Sequence, residues 1–318
     1  MFFCYLVLCL KENSYLCSPK ADGCHGKAQA VVLWVVRLKG RERDGGEVIR
    51  LMQKGKQTIL ITGISSGFGL VMAKELQRQG HKVYGTSRRP VALDGVTHIT
   101  ADSADEEQVA AAVRTVVERE GRIDTFINNA GMGIGGPLEF SSMDDAQRQM
   151  DINFFGFLRY VRHVLPVMRS QGGGRILAVS SIGGVMGLPY QGLYSASKFA
   201  IEGYCETLRL EVAGFGIKVV VIRPGDFATG FTAQRKSVDP QAAAVYTGYA
   251  RTLASIENDE KGGLKPDYLA RKVASIIKKR NPANTYVIAS FTQSLSIFAK
   301  WLLPAKCYDK ILSSYYNM

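Results

Sequence analysis

From Gln57 onward, short apolar runs of strand length alternate with longer stretches whose apolar residues recur at helical spacing. The runs Thr58–Thr62, Lys82–Thr86, Ile123–Asn128, Arg175–Ser180 and Lys218–Arg223 read as strands, and Tyr286–Ser290 as a later one. Between them Leu70–Gln79, Glu106–Glu120, Asp144–Arg169 and Leu193–Ala213 read as helices. Pro166 is expected to kink the third of these or end it early. Strands this uniformly apolar are buried on both faces, which needs helices above and below them. The pattern therefore predicts an α/β chain: a doubly wound parallel sheet of about seven strands with helices on both faces, in a single domain.

Residues 1–51 break the pattern. Phe2–Leu10 is apolar but has no basic residue before it, and Lys11 follows at once, so it does not read as a signal peptide. Neither it nor Val31–Val36 approaches the ~20 apolar residues of a spanning helix. The segment reads as a leader outside the fold, an upstream start before Met52, with a weak interfacial anchor as the alternative. The domain is then 52–318.

Composition adds one asymmetry. The net charge is +12, but residues 1–51 carry 8 basic against 5 acidic side chains and residues 52–260 carry 22 against 21. Residues 261–318 carry 10 against 2, a local excess of 10 − 2 = +8. A basic excess confined to one end, with no reading element, argues against nucleic acid. Four of the six cysteines fall in the first 24 residues at spacings that fit no metal or redox motif. Only Cys205 and Cys307 lie beyond, as in a reduced, cytoplasmic protein.

The first strand runs into Thr62-Gly63-Ile64-Ser65-Ser66-Gly67-Phe68-Gly69 and then a helix. Glycines there allow a tight turn and close approach of backbone to a pyrophosphate, which the free N–H groups of the helix N-terminus attract. Tyr194-Ser195-Ala196-Ser197-Lys198 sets Tyr194 and Lys198 four apart on one helix face, thirteen residues after Ser181 and downstream of Asn153. Together these motifs resemble the short-chain dehydrogenase/reductase family, most strongly over 57–230, and imply a Rossmann-type domain. The resemblance implies a cofactor site of Gly63, Ser65, Ser66, Gly67, Phe68 and Gly69, with Asp102 near the adenine. It adds Asn129, Ala130 and Gly131 after strand four, and Pro224, Gly225 and Thr229 over the nicotinamide. The second strand ends Ser87-Arg88-Arg89 without the carboxylate that holds an NAD ribose, and a guanidinium suits a 2′-phosphate, so NADP(H) is the expected cofactor. Arg88 is the first choice for that contact and Arg89 the second.

The implied catalytic set is Asn153, Ser181, Tyr194 and Lys198. A free phenol, with pKa about 10, holds its proton too tightly for neutral-pH acid–base work; a lysine ammonium beside it favours the phenolate. Lys198 would also hold the nicotinamide ribose, Ser181 the substrate oxygen, and Asn153 a relay water. Ser180 is expected to point away. The stretch from Ser181 to Tyr194 is similar to the 17β-hydroxysteroid and retinol dehydrogenase branch, which implies a hydrophobic secondary alcohol or ketone. A 3-keto lipid or other small carbonyl is the alternative, and an NADP(H)-sensing regulator the non-enzyme rival. Met186, Leu188, Tyr190 and Phe231 are candidates for the apolar wall, and 226–262 for a lid. The tail 291–318 mixes aliphatic and aromatic residues with Lys300, Lys306 and Lys310, which suits a peripheral membrane contact, a cover over the cleft, or a subunit contact in a homo-oligomer.

Overall fold

The structure, a computed structural model, describes residues 55–230, 236–237 and 241–316. The leader expected over 1–51 and the pocket candidate Phe231 lie outside the described residues.

Seven parallel strands form one sheet: β1 (Thr58–Thr62), β2 (Lys82–Ser87), β3 (Val96–Thr100), β4 (Thr125–Asn128), β5 (Gly174–Val179), β6 (Ile217–Pro224) and β7 (Thr285–Ile288). Their order is 3-2-1-4-5-6-7. Alternation along each strand feeds two cores. Leu60, Phe126, Val219 and Val221 face one side, and Ile59, Ile61, Ile127, Val220 and Ile222 face the other.

The first face is covered by α2 (Glu106–Glu120), α4 (Gly156–Ser170) and α5 (Gly192–Glu211), through Val113, Tyr160, Val164 and Cys205 among others. The second is covered by α1 (Gly67–Arg78) and α7 (Pro266–Ile277), through Met72, Leu76, Leu269 and Val273. Further out lie α3 (Met143–Met150), α6 (Tyr249–Lys261), α8 (Phe291–Leu302) and α9 (Ala305–Tyr315). The order reverses between β1 and β4, whose carboxyl ends open the crevice where doubly wound sheets bind ligands.

The expected helix 144–169 is corrected in two ways. Pro166 neither ends nor shortens it, since α4 runs on to Ser170. The interruption lies at Asp151–Phe155, a π-helical segment that joins α3 to α4 and carries Asn153. One extra residue in a turn re-aims side chains, and such bulges favour functional positions. Of the expected lid, the described part is mostly helical, and Phe227 at its start is buried in the core.

Candidate active site

Gly63 and Gly67 both sit at positive φ, +73° and +55°. The turn they make is pinned from β4: the Asn129 side-chain amide donates to the carbonyls of Thr62 (3.0 Å) and Gly63 (3.1 Å). The Thr62 hydroxyl in turn accepts from the amides of Asn129 and Ala130, each at 2.9 Å. Gly69 plays a different part from the one expected. It does not line the cleft; a Cβ there would lie 2.1 Å from the Gly63 carbonyl oxygen, so its bareness lets α1 pack under the turn.

The cleft above this turn, of about 270 Å³, is lined by Gly63, Ser65, Ser66, Gly67 and Phe68. Asp102, Asn129, Ala130, Gly131, Pro224, Gly225 and Thr229 line it as well. A dinucleotide fits what is there. Ser66 at the N-cap of α1 makes no side-chain cap and no acidic residue occupies the first turn, so the amides stay available to an anion. A Cβ on Gly67 would meet nothing within 4 Å, which is open space where a phosphate would sit. Arg88 and Arg89 line the cleft with exposed guanidinium groups that make no ion pair among the described residues. The Ser87 hydroxyl donates to the Arg89 carbonyl at 2.7 Å and lies 2.8 Å from the His98 ring, which fixes the turn that presents both arginines.

Ser181, Tyr194 and Lys198 line the same cleft. Lys198, on α5, is buried and donates to the Val179 carbonyl at 2.8 Å, tying the helix to the end of β5. Its Nζ lies 5.6 Å from the centre of the Tyr194 ring. Burial brings the Lys198 ammonium down to about 8, against which the Glu202 carboxylate one turn later pulls upward. It therefore remains mostly charged at neutral pH, close enough to favour a phenolate on Tyr194. Ser181 caps the short turn Ile182–Gly184, its oxygen accepting from the Gly183 amide at 3.0 Å. Ser180 also borders the cleft, although its buried hydroxyl oxygen lies toward Gly184 and finds no partner among the described residues.

Asn153 is fully buried and its side chain is committed. Its oxygen accepts from the Met132 amide at 2.8 Å, and its amide donates to the Met132 carbonyl (3.0 Å) and to the Ser197 hydroxyl (2.9 Å). Ser197 passes the link on, donating to the Tyr194 carbonyl at 2.7 Å. Asn153 thus holds the backbone of the helix that carries the tyrosine. Nothing in the spacing distinguishes Ser197 from a filler between Tyr194 and Lys198; only the contact reveals it.

Of the apolar candidates, Leu188 alone lines the cleft among the described residues. Met186 turns inward, its sulfur accepting from the Tyr308 hydroxyl at 3.2 Å. Tyr190 sits at φ 55° and packs its ring on Tyr249, with centroids 5.0 Å apart. Ile256, Asp259 and Glu260 of α6, inside the segment expected as a lid, and Tyr316, inside the tail, also line the cleft, although no residue pattern singles them out. Tyr315 donates to the Asp259 carboxylate at 2.9 Å, and the Thr252 hydroxyl donates to the Tyr316 carbonyl at 3.0 Å.

A doubly wound sheet with an uncapped glycine turn and a buried lysine beside a tyrosine defines a nicotinamide-dependent oxidoreductase. The chain belongs to the short-chain dehydrogenase family, whose model, described as short chain dehydrogenase, matches residues 57–239. It is 44% identical over 263 residues to the 3-ketodihydrosphingosine reductase of Bacteroides thetaiotaomicron, covering 82% of this chain and 98% of that one. It is 38% identical over 193 residues to the 17-beta-hydroxysteroid dehydrogenase type 1 of Homo sapiens, covering 55% of this chain and 58% of that one. A short-chain dehydrogenase structure from Streptomyces avermitilis superposes with a TM-score of 0.69 at 28% identity, covering 83% of this chain and 97% of that one. The reaction is oxidoreduction between alcohol and carbonyl with an NAD(P) cofactor, and the regulator reading falls away.

Proposed function

We propose that the chain is an NADP(H)-dependent reductase of a 3-keto lipid, a long-chain ketone of the 3-ketodihydrosphingosine type. The observation that carries this is the breadth of the match to the Bacteroides reductase, which runs over 98% of that protein and so includes the regions outside the cofactor fold. The steroid or retinoid reading, first choice from the residues between Ser181 and Tyr194, has the thinner support. The human steroid dehydrogenase matches over 58% of its length, and the retinol dehydrogenase 8 of Bos taurus over 81% but at 33% identity, against 44% for the Bacteroides reductase.

A nicotinamide cofactor held by the Gly63–Phe68 turn, Asn129 and Lys198 would supply hydride for the carbonyl carbon. The chain's own residues manage the proton and the charge. Ser181 donates to the substrate oxygen as negative charge gathers there. Tyr194 transfers its phenolic proton to that oxygen, and the Lys198 ammonium stabilises the phenolate left behind. Oxidation of the alcohol runs the same transfers backwards.

Steady-state rates with NADPH on 3-ketodihydrosphingosine, estrone and retinal test the substrate class. The keto lipid is expected to give a kcat/KM at least tenfold above either other compound, which corresponds to about 1.4 kcal/mol of transition-state binding. A higher value for estrone or retinal would return the function to the steroid or retinoid branch. For the cofactor, NADPH is expected to bind at least tenfold tighter than NADH. Arg88→Ala should erase most of that preference, about 1–3 kcal/mol for a hydrogen-bonded charge contact. Equal affinities in the unmutated chain, by fluorescence titration, would sink the assignment.

A further inference from the structure

The helix α8 is amphipathic the wrong way round. With about 100° between successive residues, Phe291, Leu295, Phe298 and Leu302 fall within an arc of about 60°, and all four are exposed. The opposite face is polar and is the one that touches the protein. Gln293 accepts from the Asp226 amide at 3.3 Å and donates to the Asp226 carboxylate. The Ser296 hydroxyl is within 4.0 Å of the Met186 sulfur. Lys300 lies over the rings of Phe199 and Tyr308, 5.6 and 6.0 Å from their centres. A surface helix ordinarily buries its apolar stripe and shows its polar one. Here Phe291 is 81% exposed, and Trp301, on the flank of the stripe, 80%.

From this we propose that α8 and α9 form a docking surface for an anionic lipid bilayer. Charge selects the occupant. Residues 261–318 carry 10 basic against 2 acidic side chains, and α8 and α9 themselves carry Lys300, Lys306 and Lys310 against Asp309. Lys306 and Lys310 stand exposed on α9, directly after the apolar helix. Exposed Phe and Trp beside lysines are what an interfacial helix offers to headgroups and acyl chains. A second copy of this chain is a poorer occupant, because a two-fold contact would bring the same basic elements of both copies together. The surface is also tied to the reaction cleft. The inner face of α8 holds Asp226 on the cleft wall, Tyr308 of α9 holds Met186, and Tyr316 after α9 lines the cleft itself. That the docked bilayer supplies the substrate rests on the 3-keto lipid reading; the docking does not.

Sedimentation of the full chain with vesicles tests it. One set contains phosphatidylcholine and phosphatidylglycerol in equal parts, the other phosphatidylcholine alone. The chain is expected to sediment with the anionic vesicles at least tenfold more strongly than with the neutral ones. The triple variant Phe291→Ser, Leu295→Ser, Phe298→Ser should bind at least tenfold less while reducing a short water-soluble ketone at the unmutated rate. Lys306→Gln with Lys310→Gln should lose the anionic preference. Failure of the unmutated chain to sediment with anionic vesicles, or equal binding by the triple variant, would overturn the proposal. So would light scattering that shows a dimer dissociated by the triple variant without any vesicle binding. Vesicle binding with no turnover of 3-ketodihydrosphingosine would leave the docking in place and remove the lipid-substrate reading instead.

Discussion

Tyr194→Phe leaves a folded chain that binds NADPH as before and turns over at least about 10² more slowly, the scale set by losing a positioned proton donor. The helix around Tyr194 is anchored through groups other than its hydroxyl. Its backbone carbonyl is held by Ser197, which is held by Asn153, and Lys198 is anchored separately to Val179. Removing one oxygen takes away the transferable proton and leaves these backbone and lysine anchors in place. Circular dichroism and NADPH titration should be unchanged while the rate collapses. Near-full reductase activity in the variant would mean that another group delivers the proton.

Gly69→Ala carries the second large effect, and it acts on the cofactor site from below. The added methyl would lie 2.1 Å from the Gly63 carbonyl oxygen and 2.6 Å from the Asn129 side-chain nitrogen. The obstacle is backbone, so α1 has to retreat or the turn has to deform. Overpacking of this kind costs about 1–3 kcal/mol in stability. The deformed turn is the one whose amides would hold the cofactor phosphates, so NADPH affinity should fall at least tenfold as well. Gly67→Ala is the contrast: the methyl meets nothing within 4 Å, and only the φ of +55° resists it. Thermal melts with and without NADPH separate the two. A Gly69→Ala chain with an unchanged melting temperature and unchanged affinity would show that the packing under the turn is looser than described.

Much of the architecture is legible in the residue pattern because both faces of the sheet are covered. A strand such as Thr58–Thr62, buried throughout, has little choice but to read as an apolar run. The site is legible for another reason: Tyr194 and Lys198 share a helix face and Ser181 stands past a strand end, and the resemblance to the short-chain family joins them into one set. What spacing does not encode is direction. Met186 and Tyr190 have the composition of a substrate wall, but the first points at Tyr308 and the second is turned by its positive φ onto Tyr249. The π-helical segment around Asn153 has no composition of its own. Gly69 reads like its neighbours in the motif, although packing rather than ligand approach is what excludes a side chain there. Periodicity shows that α8 has an apolar face without showing that this face looks outward.

The proposed reaction reduces a lipid ketone in this cleft, with Tyr194 delivering the proton. The most direct measurement uses NADPH carrying deuterium at the transferred position, with 3-ketodihydrosphingosine as substrate and mass spectrometry of the product. The unmutated chain should give an alcohol with one deuterium on the carbinol carbon, and Tyr194→Phe should give almost none in the same time. An unlabelled alcohol, no alcohol from the unmutated chain, or equal labelled product from Tyr194→Phe would contradict it.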